Sequence, residues 1–308
     1  MLNAFYFKFK NILINMKRYF IWESSQPLKS KYYVMILITL FFLALFFLTL
    51  LFQIILPTHK NSIYTPSYPR TDLEPILDKQ NITQIDSQIL FMQTGLSSSA
   101  ISHLQSNQNW KTKIIEYQEQ FFHQVKTECQ PLFGTLVMTE VAKNQSEINQ
   151  IPPIIDTRPG DILVSFSTHT LGWRHGHSAL VIDETKTLES RVIGQNSSYD
   201  TIRRWKEYPC FAILRVKELT DFQLAQVLSY SVSNLYDIPY RLTGEIFFRS
   251  PEQYDRTGFG VNCSSLIWYA YQSAGIELDS NGGPFTTPYD LLSSNQVEII
   301  QIYGINPP

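Results

Sequence analysis

The stretch Gly260-Val261-Asn262-Cys263-Ser264-Ser265-Leu266-Ile267-Trp268-Tyr269-Ala270-Tyr271 constrains the fold more than any other part of the chain. Gly258 and Gly260 interrupt regular structure ahead of it, and Asn262 is a favoured helix N-cap. Cys263, Leu266, Ile267, Ala270 and Ala274 recur at helical spacing, the inward stripe of an amphipathic helix. Gly275 is placed to end that helix. A cysteine is therefore expected in the first turn, on the inward face. There the unpaired backbone N–H groups and the positive end of the helix dipole stabilise a thiolate, and the same groups can receive an oxyanion. Free cysteine is also one of the most buried residue types, so a plain core thiol is the competing reading.

A second feature divides the chain. No residue from Tyr32 to Leu56 is charged, and Val34 to Phe52 is almost wholly apolar. At 1.5 Å per residue such a run is long enough for a bilayer, and a transmembrane signal-anchor is expected over residues 32–57. Residues 1–60 hold seven Lys and Arg against the single acid Glu23, six of them ahead of the run. The positive-inside rule then puts the N-terminus in the cytoplasm and the rest outside, giving a single-pass cell-membrane protein with an extracytoplasmic catalytic domain. Residues 1–31, rich in Phe, Tyr and Lys, are either an interfacial helix or a basic tail. Residues 61–308 hold 18 of the 25 basic and 26 of the 27 acidic side chains, a balance that argues against nucleic acid as a partner.

Residues 58–83, with Pro66, Pro69 and Pro75, read as a stalk. Residues 84–150 read as a helical accessory segment, with helices around Ser98–Leu104 and from Asn109 onward and a short strand between Gly134 and Val141. A linker-like stretch, Ile151 to Pro159, opens the part expected to carry the chemistry, residues 151–308. Strands are expected after Pro159-Gly160, from Gly176 to Ile182, from Thr187 to Ile193 and from Tyr208 to Val216, followed by a helix capped by Thr220. Strands adjoining in sequence with helices around them make an α+β fold with an antiparallel sheet.

A thiol nucleophile needs a base, and the base needs a group to fix its tautomer. Of six histidines, His59 lies beside the apolar run, His103 and His123 sit on packing helices, and His169, His175 and His177 flank the second strand. His177 opens that strand, and the small residues Ser178 and Ala179 after it allow a helix close approach. Glu189 is twelve residues on, across a hairpin. An even register, with Val181 opposite Thr187 or Glu189, puts His177 and Glu189 on one face; an odd one separates them. His175 and His177 also form a His-x-His pair of a kind used for zinc, but no third ligand stands at a telling spacing, so no metal or other cofactor is expected. Asp161 and Asp183 read as turn and cap residues. The three cysteines, Cys129, Cys210 and Cys263, allow one pair and one free thiol, and a Cys129–Cys210 bridge is not expected.

The segments Gly160-Asp161-Ile162-Leu163, Gly176-His177-Ser178-Ala179-Leu180-Val181, Leu188-Glu189-Ser190, Ile238-Pro239-Tyr240 and Asn262-Cys263-Ser264-Ser265-Leu266-Ile267 resemble the YiiX/YebB-like branch of the NlpC-type cysteine hydrolases. The order His, Glu, Cys is the circularly permuted one, and the likeness covers about residues 159–295. It implies a permuted papain-like fold and cleavage of amide bonds in cell-wall peptides, with Cys263 as nucleophile, His177 as base and Glu189 as orienter. It also implies Tyr240 near the site's mouth, with Asn262 and Ser264 on the substrate and oxyanion side. Asn262 stands where the peptidases usually carry Asp. Permuted relatives act on lipid esters and amides, so a lipid ester or amide hydrolase, or an acyltransferase, at the membrane surface is the alternative. A papain-like module that binds envelope components without turnover is the non-enzymatic alternative.

Overall fold

The computed structural model describes residues 28–55, 63–134, 136–170, 173–242, 260–283 and 285–307, with side chains in the first segment given for 32–47. The chain forms two units, Met1–Lys60 and Asn61–Pro308. The first contains helix α1 (Leu28–Ile55). Among the described residues no helix is long and apolar enough to cross a membrane, which overturns the transmembrane segment expected over 32–57. The orientation read from the flanking charge rested on that span and loses its basis with it. The tail expected over 1–31, and His59, lie outside the residues whose side chains are described.

Part of the stretch expected to be a stalk, residues 58–83, is packed into the second unit. Leu73 and the short helix α2 (Glu74–Leu77) bury Leu73, Ile76 and Leu77, because this stretch has its own apolar spacing beside the prolines. Helix α3 (Gln84–Thr94), unforeseen in the sequence, is started by a capping box in which Thr83 and Asp86 satisfy each other's backbone N–H. Helices α4 (Ser98–Gln105) and α5 (Trp110–Phe121) lie where the apolar spacing put them. A hairpin of β1 (Thr127–Phe133) and β2 (Val137–Ala142) and helix α6 (Gln145–Gln150) follow. The stretch expected as a linker is anchored: Ile151 and Ile155 are buried, and the Ile155 N–H donates to Gln301 Oε1 at 3.0 Å.

The strands β3 (Ile162–Ser165), β4 (Thr168–Thr170), β5 (Trp173–Arg174), β6 (His177–Val181), β7 (Lys186–Glu189), β8 (Ser198–Thr201) and β9 (Phe211–Val216) come next. Helices α7 (Asp221–Asn234), α8 (Cys263–Gln272) and α9 (Pro288–Leu292) and strand β10 (Val297–Tyr303) complete the described chain. Two sheets result, all pairs antiparallel. The larger runs β10-β9-β3-β6-β7-β8 and the smaller β1-β2-β4-β5. The α+β, antiparallel part of the expected fold class is what the structure has.

Strand β3 is central to the larger sheet and is buried along its length, as are β6 and most of β9. Helix α8 packs on β6, with α7 and α9 on its other sides. Every residue from Cys263 to Tyr271 is consequently buried. The stripe expected on one face is thus a helix enclosed all round, which is why Trp268, Tyr269 and Tyr271 are needed on its other faces. It ends at Gln272, and Gly275 lies just beyond with φ of +75°.

One glycine fixes the entry to β6. Gly176 has φ of +81°, and a Cβ there would lie 2.5 Å from the Ser165 carbonyl oxygen. Gly176→Ala is expected to lower the urea midpoint, with a loss of about 2 kcal/mol from the left-handed backbone and the clash together. An unchanged midpoint would show that β6 does not need this approach.

Candidate active site

The hairpin β6–β7 pairs Val181 with Thr187 and Leu180 with Leu188, the even register. Its turn is held by Asp183, whose Oδ1 accepts from the Thr185 N–H and hydroxyl, both at 2.8 Å. In this register His177 and Glu189 meet, and His177 Nε2 donates to Glu189 Oε2 at 2.8 Å. Glu189 Oε1 accepts from the Thr187 hydroxyl at 2.6 Å and from Trp205 Nε1–H at 2.9 Å. Three donors thus hold a carboxylate that is only 2% exposed, the condition under which a buried charge is tolerated. The Trp205 ring also lies against the imidazole, centroids 5.6 Å apart and planes within 16°. With Nε2 committed to Glu189, Nδ1 is the nitrogen left for Cys263, whose thiol interacts electrostatically with the His177 ring.

The cysteine is delivered by a pinned backbone. The Val261 N–H donates to the Pro239 carbonyl and its carbonyl accepts from the Arg241 N–H, both at 3.1 Å, in a parallel bridge of Tyr240 to Val261. The Ser190 hydroxyl donates to the same Val261 carbonyl at 2.8 Å. Gly260 permits the approach, since a Cβ there would lie 2.2 Å from Arg241 Cγ. Asn262 then caps α8, its Oδ1 accepting from the Ser264 and Ser265 N–H groups at 3.0 and 2.9 Å, while the Ser265 hydroxyl receives the Asn262 N–H. Among the first-turn amides this leaves the Cys263 N–H for an incoming oxygen. Ser178 Oγ and Ser264 Oγ are 3.1 Å apart, and Ser264 Oγ is 3.9 Å from the sulfur. The small Ser178 is what lets α8 approach β6.

Electrostatics favour charge separation. Burial pushes the Cys263 thiol up, but hydrogen bonds from His177, Ser264 and Ser178 and the imidazole's charge outweigh it, so the thiol lies below its ordinary value. Burial pushes His177 down, while Cys263 and Glu189 carry it to about 9. Burial likewise opposes the Glu189 carboxylate, yet His177, Thr187 and Trp205 bring it to about 2. The favoured form is thiolate and imidazolium beside a carboxylate. The Tyr240 phenol is pushed up by burial and by the negative charge of Cys263, and its backbone bridges to Val261, two residues before the sulfur.

The residues singled out by sequence thus fall into distinct positions. Cys263, His177, Glu189, Tyr240 and Ser264 come together, whereas the Asn262 amide oxygen is occupied by the helix cap. His175 does not join them: it contacts Thr170 Oγ1 and the Gly176 carbonyl, both at 2.9 Å, and burial lowers it to about 4. Asp161 does more than shape a turn, since it is buried in a two-pronged ion pair with Arg215 at 2.8 Å. All three cysteines are free, Cys129 exposed and Cys210 buried. Thr187 and Trp205 escaped the sequence reading. The alternation that selected Glu189 also places Thr187 on its face, but nothing local marks Trp205.

No family model matches the chain, and no curated protein matches it. Among solved structures it is similar to the crystal structure of the metalloprotein YiiX from Escherichia coli O157:H7, with 13% identity and a TM-score of 0.36, over 47% of this chain and 97% of that one.

Proposed function

We propose that the chain is a cysteine hydrolase of the permuted papain-like, NlpC-type class, cleaving an amide bond. The observation that supports this reading is the buried grouping of Cys263 with a His177 ring bonded to Glu189, with the sulfur at a helix N-terminus. The Cys263 thiolate attacks the amide carbonyl, an S–C bond forms, and the carbonyl electron pair moves to oxygen beside the Cys263 N–H. The His177 imidazolium gives its proton to the leaving nitrogen as the C–N bond breaks. Water then attacks the thioester, its proton passing to neutral His177, and loss of the acid restores the thiolate–imidazolium pair. One amide and one water become one acid and one amine.

A cell-wall peptide is the substrate class implied by the sequence resemblance. The lipid alternative rested on the permuted relatives' substrates and on a membrane span holding the site near a bilayer, and it keeps only the first of these. The test is alkylation by iodoacetamide at pH 6. Cys263 is expected to react selectively, and His177→Ala to slow it about 100-fold, since an ordinary thiol with a pKa near 8.5 is almost wholly protonated there. Equal reactivity of all three cysteines, or an unreactive Cys263, sinks the nucleophile and leaves a binding module. Mass spectrometry of wall fragments and phospholipids after incubation with the chain then identifies the substrate.

A further inference from the structure

The smaller sheet carries a second set of chemical groups, remote in sequence from those above. Cys129 on β1 lies directly opposite Glu140 on β2, and His169 on β4 pairs with Met138, two residues along β2 from Glu140. Directly opposed residues share a face and side chains two apart on a strand return to it, so all three project from one side of the sheet. Cys129 Sγ is 3.8 Å from His169 Nε2, and the sulfur, a ring nitrogen and a carboxylate oxygen all lie within 4.8 Å of one another.

We infer that Cys129, Glu140 and His169 bind a zinc ion, with solvent or an external donor as the fourth ligand. Zn–S and Zn–N bonds at a tetrahedral angle put sulfur and nitrogen about 3.6 Å apart, close to the separation found here. The set joins a soft thiolate, an imidazole and one carboxylate, a combination suited to zinc, and the two anionic ligands balance the ion's charge. Glu140 is already aimed: Arg174 grips both its oxygens, through Nη1 at 3.1 Å and through Nη2, and Nη1 also donates to the Phe166 carbonyl at 2.9 Å. Each carboxylate oxygen keeps a second lone pair, so Arg174 stands where outer-shell partners of metal ligands stand. Cys129 is exposed, so the ion has an entry path and an open position. Bound there, zinc ties β1, β2 and β4 together through side chains.

The test uses the full chain carrying Cys263→Ser, so that the other cysteine–histidine pair contributes no thiolate. Titration with Zn²⁺ at pH 7 is expected to give one equivalent bound. Co²⁺ in its place should show a thiolate charge-transfer band in the near ultraviolet and visible bands of tetrahedral intensity. Adding Cys129→Ser should remove the charge-transfer band. His169→Ala should weaken Zn²⁺ by more than the roughly 10–100-fold typical of an outer-shell loss. Glu140→Gln, which keeps the side chain's shape, guards against a general loss of the sheet and should also weaken binding. Absence of Zn²⁺ binding in the Cys263→Ser chain overturns the inference. So does binding that survives both Cys129→Ser and His169→Ala unchanged.

Discussion

Replacing Glu189 with alanine is expected to cost about 3–5 kcal/mol of folding stability and to make Cys263 an ordinary thiol. The mutation leaves the His177 and Trp205 N–H groups and the Thr187 hydroxyl without their acceptor in a dry interior. It also strips the imidazolium of its carboxylate counter-charge, leaving only Cys263 to oppose burial, which shifts His177 toward the neutral form. Urea unfolding measures the first effect and the iodoacetamide rate at pH 6 the second. Glu189→Gln separates them. The glutamine oxygen still accepts from Thr187 and Trp205, which retains much of the stability. Its N–H, facing Nε2, needs that nitrogen bare, which sends the ring proton to Nδ1 and removes the thiol's acceptor. A Glu189→Ala chain that alkylates at the original rate would mean the carboxylate plays no part in activating the sulfur.

The second large effect is one of pH. His177 is raised from 6.5 to about 9, so its contribution to stability is complete below 6.5 and is lost as pH rises toward 9. Cys263 is lowered from 9.0, so its contribution is complete above about 9 and is lost as pH falls. Wherever the folded thiol is ionised and the folded imidazole still protonated, the two slopes cancel. Unfolded, the pair holds one proton on sulfur; folded, it holds one proton on the ring. Stability of the original chain is therefore expected to be flat across that window as far as this pair is concerned. Cys263→Ser removes the sulfur's slope and also its share of what raises His177, leaving a decline of at most about 1.4 kcal/mol per pH unit above 6.5, over the narrower range that Glu189 alone sustains. Glu189, lowered from 4.5 to about 2, adds stability above about 4.5 that is lost as pH falls toward 2, outside the window. Chemical denaturation of both chains at half-unit steps reads the difference. Parallel pH profiles would exclude the thiolate–imidazolium form.

Much of the site was legible because its signals are local. Asn262 before Cys263 marks a helix start, and the alternation from His177 to Val181 and from Thr187 to Glu189 marks two half-strands whose register decides whether His and Glu meet. What the sequence hid is tertiary. Trp205 sits on a 3₁₀ turn (Ile202–Glu207), and only the folded chain brings it over His177. Strand β1 has a central proline and an exposed face, so it shows little of the apolar alternation that marks a strand. Cys129 looked like half of a disulfide or nothing, because its neighbours Glu140 and His169 reach it only through strand pairing. The apolar run after Tyr32 is the opposite case: a strong local signal was carried past what the structure supports.

Strand β10 is among the last parts of the described chain to leave a ribosome, yet early residues depend on it. The Gly95 carbonyl accepts from the Ile302 N–H at 2.8 Å, the Ser97 N–H reaches the Ile300 carbonyl at 3.0 Å, and the Tyr64 N–H reaches the Gly304 carbonyl at 2.9 Å. Gln301 meanwhile holds Ile155 and the Pro153 carbonyl. During synthesis the segment from residue 64 onward therefore waits for partners more than two hundred positions downstream, a costly loop to close. Until β10 emerges, these backbone groups and the edge they complete stay unpaired, the state in which partly folded chains are prone to associate.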